Sequence, residues 1–293
     1  MKKSKNIITR IMQSFLKSFF TNSLFPYFLM LRTSKNFQRK INSEKQLKKF
    51  SNNLEEINKY EFKITSQNNE DGIIDYIFSK IPNNKYFIEI GFGYYEFNSL
   101  NLIKKGWRGK LIDIDIEEST ALRCLLEKYY PKSQVKVINT KVTKENINKL
   151  ILKEELNKEI DFFSLDIDSN DYWILKFMDL SNVNVLCCEY NHWLGNNAKL
   201  TVPYDENFKF IDNGIWGASL LALNNLLDSK GFSLIAVESS GTNAFFINNK
   251  LAKNFEILSP LKSFKSVGRF YNDESKKKIF NNIKKNFSKL TKI

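Results

Sequence analysis

The stretch YFIEIGFG, residues 86–93, decides the fold that this sequence predicts. Tyr86 to Ile90 form a short, mostly apolar run, which is typical of a buried β-strand. Gly91-Phe92-Gly93 then predicts a turn. Because the two glycines have no side chain, a ligand can approach the backbone closely there. The N-terminus of a following helix favours an anionic group. Glu96 stands where a dinucleotide-binding fingerprint has its third glycine, so the turn predicts a different ligand.

Beyond this turn, short apolar strands alternate with segments of helical periodicity. The predicted helices are 98–106, 119–130, 143–156, 171–178 and 218–227. The predicted strands after the first are 111–114, 134–138, 162–167, 183–190, 232–237 and 244–247. This alternation predicts an α/β fold with a mostly parallel seven-stranded sheet and helices on both faces. Only Ser239 to Thr242 separate the last two strands, so the last strand should be antiparallel.

The net charge of +13 is unevenly distributed along the chain. Residues 1–60 carry 13 Lys/Arg against 3 Asp/Glu, residues 61–250 carry 21 against 26, and residues 251–293 carry 11 against 3. We therefore predict a basic amphipathic helical extension, a central α/β domain and a basic helical tail with these bounds. Nucleic acid is not favoured, because an enzyme acting on it more often carries positive charge on the catalytic domain. The basic ends suit an anionic membrane surface, with compositional drift as the alternative.

Cysteine content and hydropathy indicate the compartment. Three cysteines without a CxxC pair argue against a disulfide framework or a zinc site and favour a reducing compartment. Cys187 and Cys188 lie in an apolar run and should be core residues. The longest uncharged stretch of the N-terminal extension, 18–31, has 14 residues, whereas a membrane span needs about 20. We expect a cytoplasmic chain that could lie peripherally on the inner face of the membrane.

The N-terminal extension contains an apolar stripe at helical spacing with basic residues between its members. The stripe comprises Ile7, Ile8, Ile11, Met12, Phe15, Leu16, Phe19 and Phe20. Such a helix can lie in the bilayer interface. The alternative is that the stripe packs on the core or on a second subunit; the oligomeric state stays open.

Ligands of an open parallel sheet bind beyond the carboxyl ends of the strands, near the point where the strand order reverses. Glu89, Gly91 and Gly93 mark the end of the first strand. Asp113 ends the second strand, about 20 residues past the glycines, where an acidic residue can accept two ribose hydroxyls. Asp115 is the near alternative for that role.

The fourth and fifth predicted strands also end in polar residues. Asp166, Asp168 and Asp171 follow a buried strand, where carboxylates are costly unless they bind something or cap the next helix. We expect Asp171 to cap, and Asp166 and Asp168 to line the ligand site. Glu189 follows five apolar residues and should point into the same site. His192, the only histidine, is either a general base or an ordinary loop residue.

Several sequence blocks, in the same order, resemble the FkbM-like branch of the class I S-adenosylmethionine-dependent methyltransferases. The similarity covers roughly residues 66–248. Its blocks are SQNNEDG 66–72, EFNS 96–99, GWRG 106–109, LDIDSNDYW 165–173, EYN 189–191, TVPYD 201–205, GASL 217–220 and GTNAFF 241–246. The sequence departs from the family at Tyr94-Tyr95, where an acidic residue with a glycine is frequent, and at Ser169, where glycine is common.

The resemblance implies a Rossmann-like methyltransferase fold, S-adenosylmethionine as the donor, and often O-methylation of sugars or natural products. The expected donor-binding residues are Glu89, Gly91, Gly93, Asp113 and Asp166. A hydroxyl acceptor must lose its proton during attack, and Asp168, Glu189 and His192 are the candidate catalytic residues. A divalent metal bridging Asp166 or Asp168 with Glu189 and Asn191 is a less favoured alternative, because these are hard oxygen ligands that suit magnesium.

We therefore predict an O-methyltransferase that acts on a small-molecule or glycan acceptor, such as a sugar or polysaccharide hydroxyl. The polar segment 191–214 should form a loop or lid that helps define the acceptor. One alternative is a non-catalytic, membrane-associated relative whose pocket is filled by Tyr94 and Tyr95. The other is a nucleic-acid methyltransferase whose basic ends hold phosphates.

Overall fold

The structure, a computed structural model, describes residues 25–43, 46–47, 56–152, 159–266 and 271–293. The predicted amphipathic stripe at 7–20 lies outside the described residues. The α-helices are α1 Phe25–Ile41, α2 Glu70–Lys80, α3 Leu100–Lys104, α4 Ile116–Tyr129, α5 Ile147–Ile151, α6 Asp171–Phe177, α7 Leu220–Ser229, α8 Pro260–Ser263 and α9 Asp273–Asn286. The strands of the central sheet are β1 Tyr86–Ile90, β2 Arg108–Asp113, β3 Val135–Asn139, β4 Ile160–Leu165, β5 Val183–Glu189, β6 Phe232–Val237 and β7 Asn243–Asn248.

The central sheet has the strand order β3-β2-β1-β4-β5-β7-β6. Strands β1 to β5 pair in parallel, whereas β7 runs antiparallel to both of its neighbours. This arrangement is a Rossmann-like methyltransferase fold, and it confirms the predicted seven-stranded sheet with an antiparallel last strand. The strand order reverses between β1 and β4, so the crevice above these two strands is where a ligand should bind.

Strand β4 shows how the sheet forms two cores. Successive side chains of a strand point to opposite faces. Phe162 packs on one face with the buried side chains of α2, α3 and α4, while Phe163 packs on the other with those of α5, α6 and α7. Cys187 and Cys188 divide between the same two faces and are fully buried, as predicted.

Helix α2 has no counterpart among the predicted helices. Its first turn holds Glu70, Asp71 and Gly72, which are typical of a polar loop, yet all three are buried. Its apolar side chains Ile73 and Ile77 pack on the sheet. The helix exists because tertiary contacts bury these residues, which outweighs the local preference of the glycine.

The segment 251–293 packs on the loop that follows β5. Ile279 and Ile283 of α9 lie against Trp193 and Trp216. The approach is close: a Cβ at Gly214 would lie 2.7 Å from side-chain atoms of both isoleucines. Two-residue strands, Leu200–Thr201 and Thr291–Lys292, also pair antiparallel. The described part of the C-terminal segment and the predicted lid therefore pack together as one layer.

Helix α1 packs on α4 through Phe37, whose ring centroid lies 5.5 Å from that of Tyr129. Its Lys40 Nζ reaches Glu96 Oε2 at 2.9 Å and thereby joins the helix to the loop after β1. No helix in the described parts of the chain has the length and apolar character that a membrane span requires.

Candidate functional site

A cavity of about 800 Å³ opens at the carboxyl ends of β1, β2 and β4. Ligand pockets typically measure about 300–1,000 Å³. Six of the eight predicted site residues line it: Glu89, Gly91, Gly93, Asp113, Asp166 and Asp168. They converge because the carboxyl ends of neighbouring parallel strands meet at one edge of the sheet.

Glu89 holds the loop between β1 and α3. Its Oε1 accepts a hydrogen bond from the backbone N–H of Asn98 at 2.9 Å, and its Oε2 accepts one from Ser99 at 2.8 Å. Burial raises the pKa of this carboxyl to about 7, although both hydrogen bonds favour the charged form. Glu89 lines the cavity, but its geometry makes it chiefly a residue that positions the start of α3.

Asp113 connects the end of β2 to the glycine turn. Its Oδ2 accepts a hydrogen bond from the backbone N–H of Phe92 at 3.2 Å, and its Oδ1 accepts one from Asp115 at 2.6 Å. Burial raises the pKa of its carboxyl. Asp115 instead caps α4, because its Oδ1 accepts from Glu117 and Glu118. Of the two aspartates, Asp113 is the one that lines the cavity.

Several residues that line the cavity were not predicted from the sequence. Glu118 of α4 lines the cavity, and its Oε2 accepts from the backbone N–H of Tyr94 at 2.6 Å. Thr140 to Val142 also line the cavity, and they follow β3, so the strand-end rule could have identified them. Tyr95 lies in the cavity wall, and the space remains open. The two tyrosines therefore do not fill the pocket.

Two blocks of the family resemblance meet behind the cavity. Asn243 Nδ2 of β7 donates to Glu70 Oε1 at 2.8 Å, and Asn69 Nδ2 donates to Glu238 Oε1 at 2.5 Å. Burial, followed by the charge of Glu238, raises the pKa of Glu70 to about 7. Asn243 and Gln67 also line the cavity. Sequence blocks some 170 residues apart are thus linked by buried polar contacts that shape one wall of the site.

Asp166, Asp168 and Glu189 form a carboxylate cluster on the β4–β5 side of the site. Each offers an oxygen, and these oxygens lie within 4.8 Å of one another. Glu189 Oε2 is buried without a hydrogen-bond partner. Asp168 has a φ of 56°, a left-handed conformation that non-glycine residues seldom adopt. Backbone strain of this kind concentrates at functional sites.

The carboxylate cluster has strongly perturbed acidities. Burial, and then the charge of Asp171, raises the pKa of Asp168 to about 6. Burial and the mutual repulsion of the acids raise the pKa values of Asp166 and Glu189 well above their usual range. Crowded carboxylates of this kind share protons or bind a cation at neutral pH. Asp171 stands apart from this role, because it accepts hydrogen bonds from the backbone N–H groups of Ile167 and Ser169.

A divalent cation would be held by the three carboxylates of the cluster, whose hard oxygens suit magnesium. Asn191, the fourth ligand considered from the sequence, uses its side chain for other hydrogen bonds. Its Nδ2 donates to the carbonyl oxygens of Gly214 and Trp216, and its Oδ1 accepts from the backbone N–H of Trp193. Asn191 therefore anchors the lid segment and is not available to a metal.

His192 lies outside the cavity lining, packed against the rings of Trp193 and Trp216. It is 7% exposed, and its Nε2 has no hydrogen-bond partner. Burial lowers its pKa to about 4, so the ring is neutral at physiological pH. The structure thus brings Glu189 to the site but leaves His192 within the aromatic layer beside it.

These acidities predict that the protein loses stability as the pH rises from 6.5 to 8. A carboxyl with a raised folded-state pKa contributes stability below its unfolded pKa, and this contribution is lost as the pH rises through the folded value. Glu70 and Glu89, whose folded-state pKa values are about 7, lose most of this contribution between their usual value of 4.5 and pH 7, so only its last part is lost in this window. Asp166 and Glu189, whose pKa values are raised well above their usual range, add to the loss. His192 does not oppose the trend, since above 6.5 it is neutral in both states. Thermal denaturation at constant ionic strength should show a falling midpoint; a constant or rising midpoint would contradict the burial of these acids.

No protein-family model matches this chain. No curated protein matches it either. Among solved structures, the chain is similar to the N-terminal domain of EvdMO1, crystallised in the presence of SAH and D-fucose. The TM-score is 0.42 and the identity 11%, with 74% of this chain and 96% of the other covered.

A second similarity is to the magnesium protoporphyrin IX methyltransferase ChlM from Synechocystis PCC 6803 with bound SAM (TM-score 0.39, 10% identity, 61% of this chain and 77% of the other covered). A third is to the glycopeptide N-methyltransferase MtfA complexed with S-adenosylmethionine (TM-score 0.35, 9% identity, 59% and 84% covered). Similarities this distant support no assignment of function. The fold assignment rests on the strand order, and membership of the FkbM-like branch stays a prediction.

Proposed function

We propose that this chain is an S-adenosylmethionine-dependent methyltransferase that methylates a hydroxyl of a sugar or polysaccharide. One observation carries the proposal. The glycine turn after β1, Asp113 at the end of β2, and the carboxylate cluster at the ends of β4 and β5 surround one crevice where the strand order reverses. That crevice offers polar groups for a ribose at one side and carboxylates for a cationic sulfonium at the other.

The donor would lie across the crevice with its ribose at Asp113. The free lone pairs of this carboxylate can accept the two ribose hydroxyls. Ile114, which is 65% exposed, and Val142 add apolar surface to the same end of the cavity and suit an adenine ring. The methionine end would then extend past Gly91 towards Asp166, whose carboxylate attracts the sulfonium.

The acceptor hydroxyl would lie next to the carboxylate cluster. Methyl transfer is an in-line displacement, and holding the acceptor oxygen in line with the methyl group is worth about 7–11 kcal/mol. Asp168 or Glu189 would remove the acceptor proton, since a raised pKa makes each carboxylate a stronger base. His192 ranks behind them, because it lies outside the carboxylate cluster and burial lowers its pKa to about 4, which makes the ring a weak base. A cation on the cluster is the alternative means of positioning the hydroxyl oxygen.

A sugar is a suitable acceptor because the aromatic side chains of Tyr95 and Phe208 line the cavity together with Asp166 and Asp168. A second, buried aromatic layer lies beside the cluster. Trp193 packs edge-on against Tyr271 at 4.9 Å, and Tyr271 donates a hydrogen bond to Asp212 Oδ2 at 3.0 Å. The charge of Glu189 also acts on Tyr271, so this layer adjoins the cluster. Aromatic faces combined with carboxylates match the apolar faces and hydroxyl groups of a sugar. The release of S-adenosylhomocysteine with a panel of monosaccharides and polysaccharides tests the acceptor class.

Donor binding tests the first half of the proposal. We expect S-adenosylmethionine to bind the wild type by calorimetry and Asp113→Asn to weaken binding by about tenfold or more, because a hydrogen bond to a charged acceptor is worth about 1.5–3 kcal/mol. Asp115→Asn is the matched control: it alters a second aspartate of the same turn that caps α4 and does not line the cavity. Equal affinities for both variants would refute the ribose assignment. Absence of binding to the wild type would favour the non-catalytic alternative.

A further inference from the structure

Helix α1 presents one face to the fold and another to solvent. Leu29 and Phe37 are buried, and Phe37 packs on Tyr129 of α4. Tyr129 Oη also donates to the carbonyl oxygen of Ser34 at 3.5 Å. Lys40 Nζ makes an ion pair with Glu96, which lines the cavity. Through these contacts α1 is part of the folded domain. A partner that binds the outer face of α1 therefore binds the whole folded domain.

The outer face of α1 carries a cluster of large apolar residues, here called the apolar patch: Tyr27, Phe28 and Leu31. Their side chains are 63%, 61% and 69% exposed. Residues three and four positions apart are neighbours on a helix surface, so the three occupy one turn on one side. Single exposed apolar residues are ordinary, but a contiguous patch indicates an interaction surface.

Basic side chains continue the same face towards the end of the helix. Arg32, Lys35 and Arg39 are all exposed. The surrounding sequence is also positively charged, because the first 43 residues contain nine Lys/Arg and no Asp/Glu. The partner of this face must therefore offer apolar material to the patch and negative charge beside it.

We propose that the outer face of α1 docks on an anionic lipid bilayer. The apolar patch enters the boundary between headgroups and acyl chains, and Arg32, Lys35 and Arg39 contact the anionic headgroups. Interfacial helices bind membranes through this combination of buried apolar area and attraction to anionic lipids. A nucleic acid would satisfy the charges but not the three apolar side chains. A second copy of the chain that packed through its own α1 would bring the same positive charge to the face and be repelled.

Co-sedimentation with lipid vesicles tests this inference. We expect the full chain to bind vesicles of phosphatidylcholine mixed with phosphatidylglycerol, and to bind phosphatidylcholine alone much more weakly. The double variants Tyr27→Ser with Leu31→Ser, and Arg32→Glu with Lys35→Glu, should each reduce partitioning by about tenfold or more, since each basic residue near the surface contributes to attraction. The thermal midpoint of each variant shows whether its fold is retained.

Two matched controls lie elsewhere on the surface. Ile257→Ser with Leu261→Ser removes exposed apolar residues, and Lys250→Glu with Lys253→Glu reverses exposed charges. Both should bind anionic vesicles as the wild type does. The proposal is overturned if the α1 variants bind as tightly as the controls, if binding does not depend on anionic lipid, or if the α1 variants lose affinity for RNA or change oligomeric state while vesicle binding is unchanged. Donor binding is measured separately, so failure here leaves the proposed enzymatic function untouched.

Discussion

Gly91→Ala is expected to destabilise the protein by about 4 kcal/mol or more, a loss large enough to prevent folding of a marginally stable domain. A Cβ at this position would lie 1.6 Å from the backbone carbonyl oxygen of Asp166. That carbonyl cannot move away easily, because the Asp166 N–H donates to Ile90 and the Gly91 N–H donates to Ile112, each at 3.0 Å. Urea denaturation followed by circular dichroism measures the effect.

Gly195→Ala is the matched control for this substitution. Both glycines have a positive φ, 80° at Gly91 and 76° at Gly195, but a Cβ at Gly195 meets no atom within 4 Å. The ψ of Gly195 is −177°, a conformation essentially restricted to glycine, so Gly195→Ala should cost the backbone strain alone, about 1–3 kcal/mol. Comparable losses in the two variants would show that β1 and β4 do not approach each other at the turn as closely as described.

Glu189→Gln is expected to lower methyl transfer by about 10²–10⁴-fold, the usual contribution of a general base, while donor affinity is retained. The same substitution should stabilise the protein at pH 8 by about 1 kcal/mol, because an amide can donate a hydrogen bond to a carboxylate where a second carboxylate repels it. Gain of stability with loss of turnover is the pattern of a strained functional site. Release of S-adenosylhomocysteine and thermal denaturation provide the two readouts.

Asp168→Asn and the pH profile identify which carboxyl acts. If Asp168 is the base, activity should rise with pH through about 6, since only the ionised form accepts the proton. If Glu189 is the base, the rise should come at higher pH, because the pKa of its carboxyl lies well above the usual range. A loss of activity in His192→Gln equal to that in Glu189→Gln would instead assign the base to the histidine. Activity that depends on added magnesium and is abolished by a chelator would favour a cation on the cluster.

Sequence periodicity predicted seven strands along the chain, a mostly parallel sheet and the antiparallel direction of β7. It also predicted several residues that line the cavity. The reason is physical: neighbouring parallel strands end at the same edge, so any polar residue at a strand end is brought to that edge whatever the details of packing. Gly91, Asp113 and Asp166 were identified in this way, and the structure brings them to one cavity.

Side chains that do not end a strand could not be located by the same rule. Glu118 reaches the cavity from the first turn of a helix, and Asn191, considered only as a ligand in the metal alternative, turns away to hold Gly214 and Trp216. The direction of such side chains depends on which hydrogen-bond partners the fold places near them.

The sequence by itself determined the alternation of strands and helices and the chemistry at the strand ends, because both follow from local periodicity and chain connectivity. Only the tertiary structure decided that helix α2 forms from a polar, glycine-containing segment, that α9 packs against the lid, and that Asp166, Asp168 and Glu189 crowd within 4.8 Å. Each of these depends on contacts between residues far apart in the chain, and no local pattern specifies which distant surfaces become neighbours.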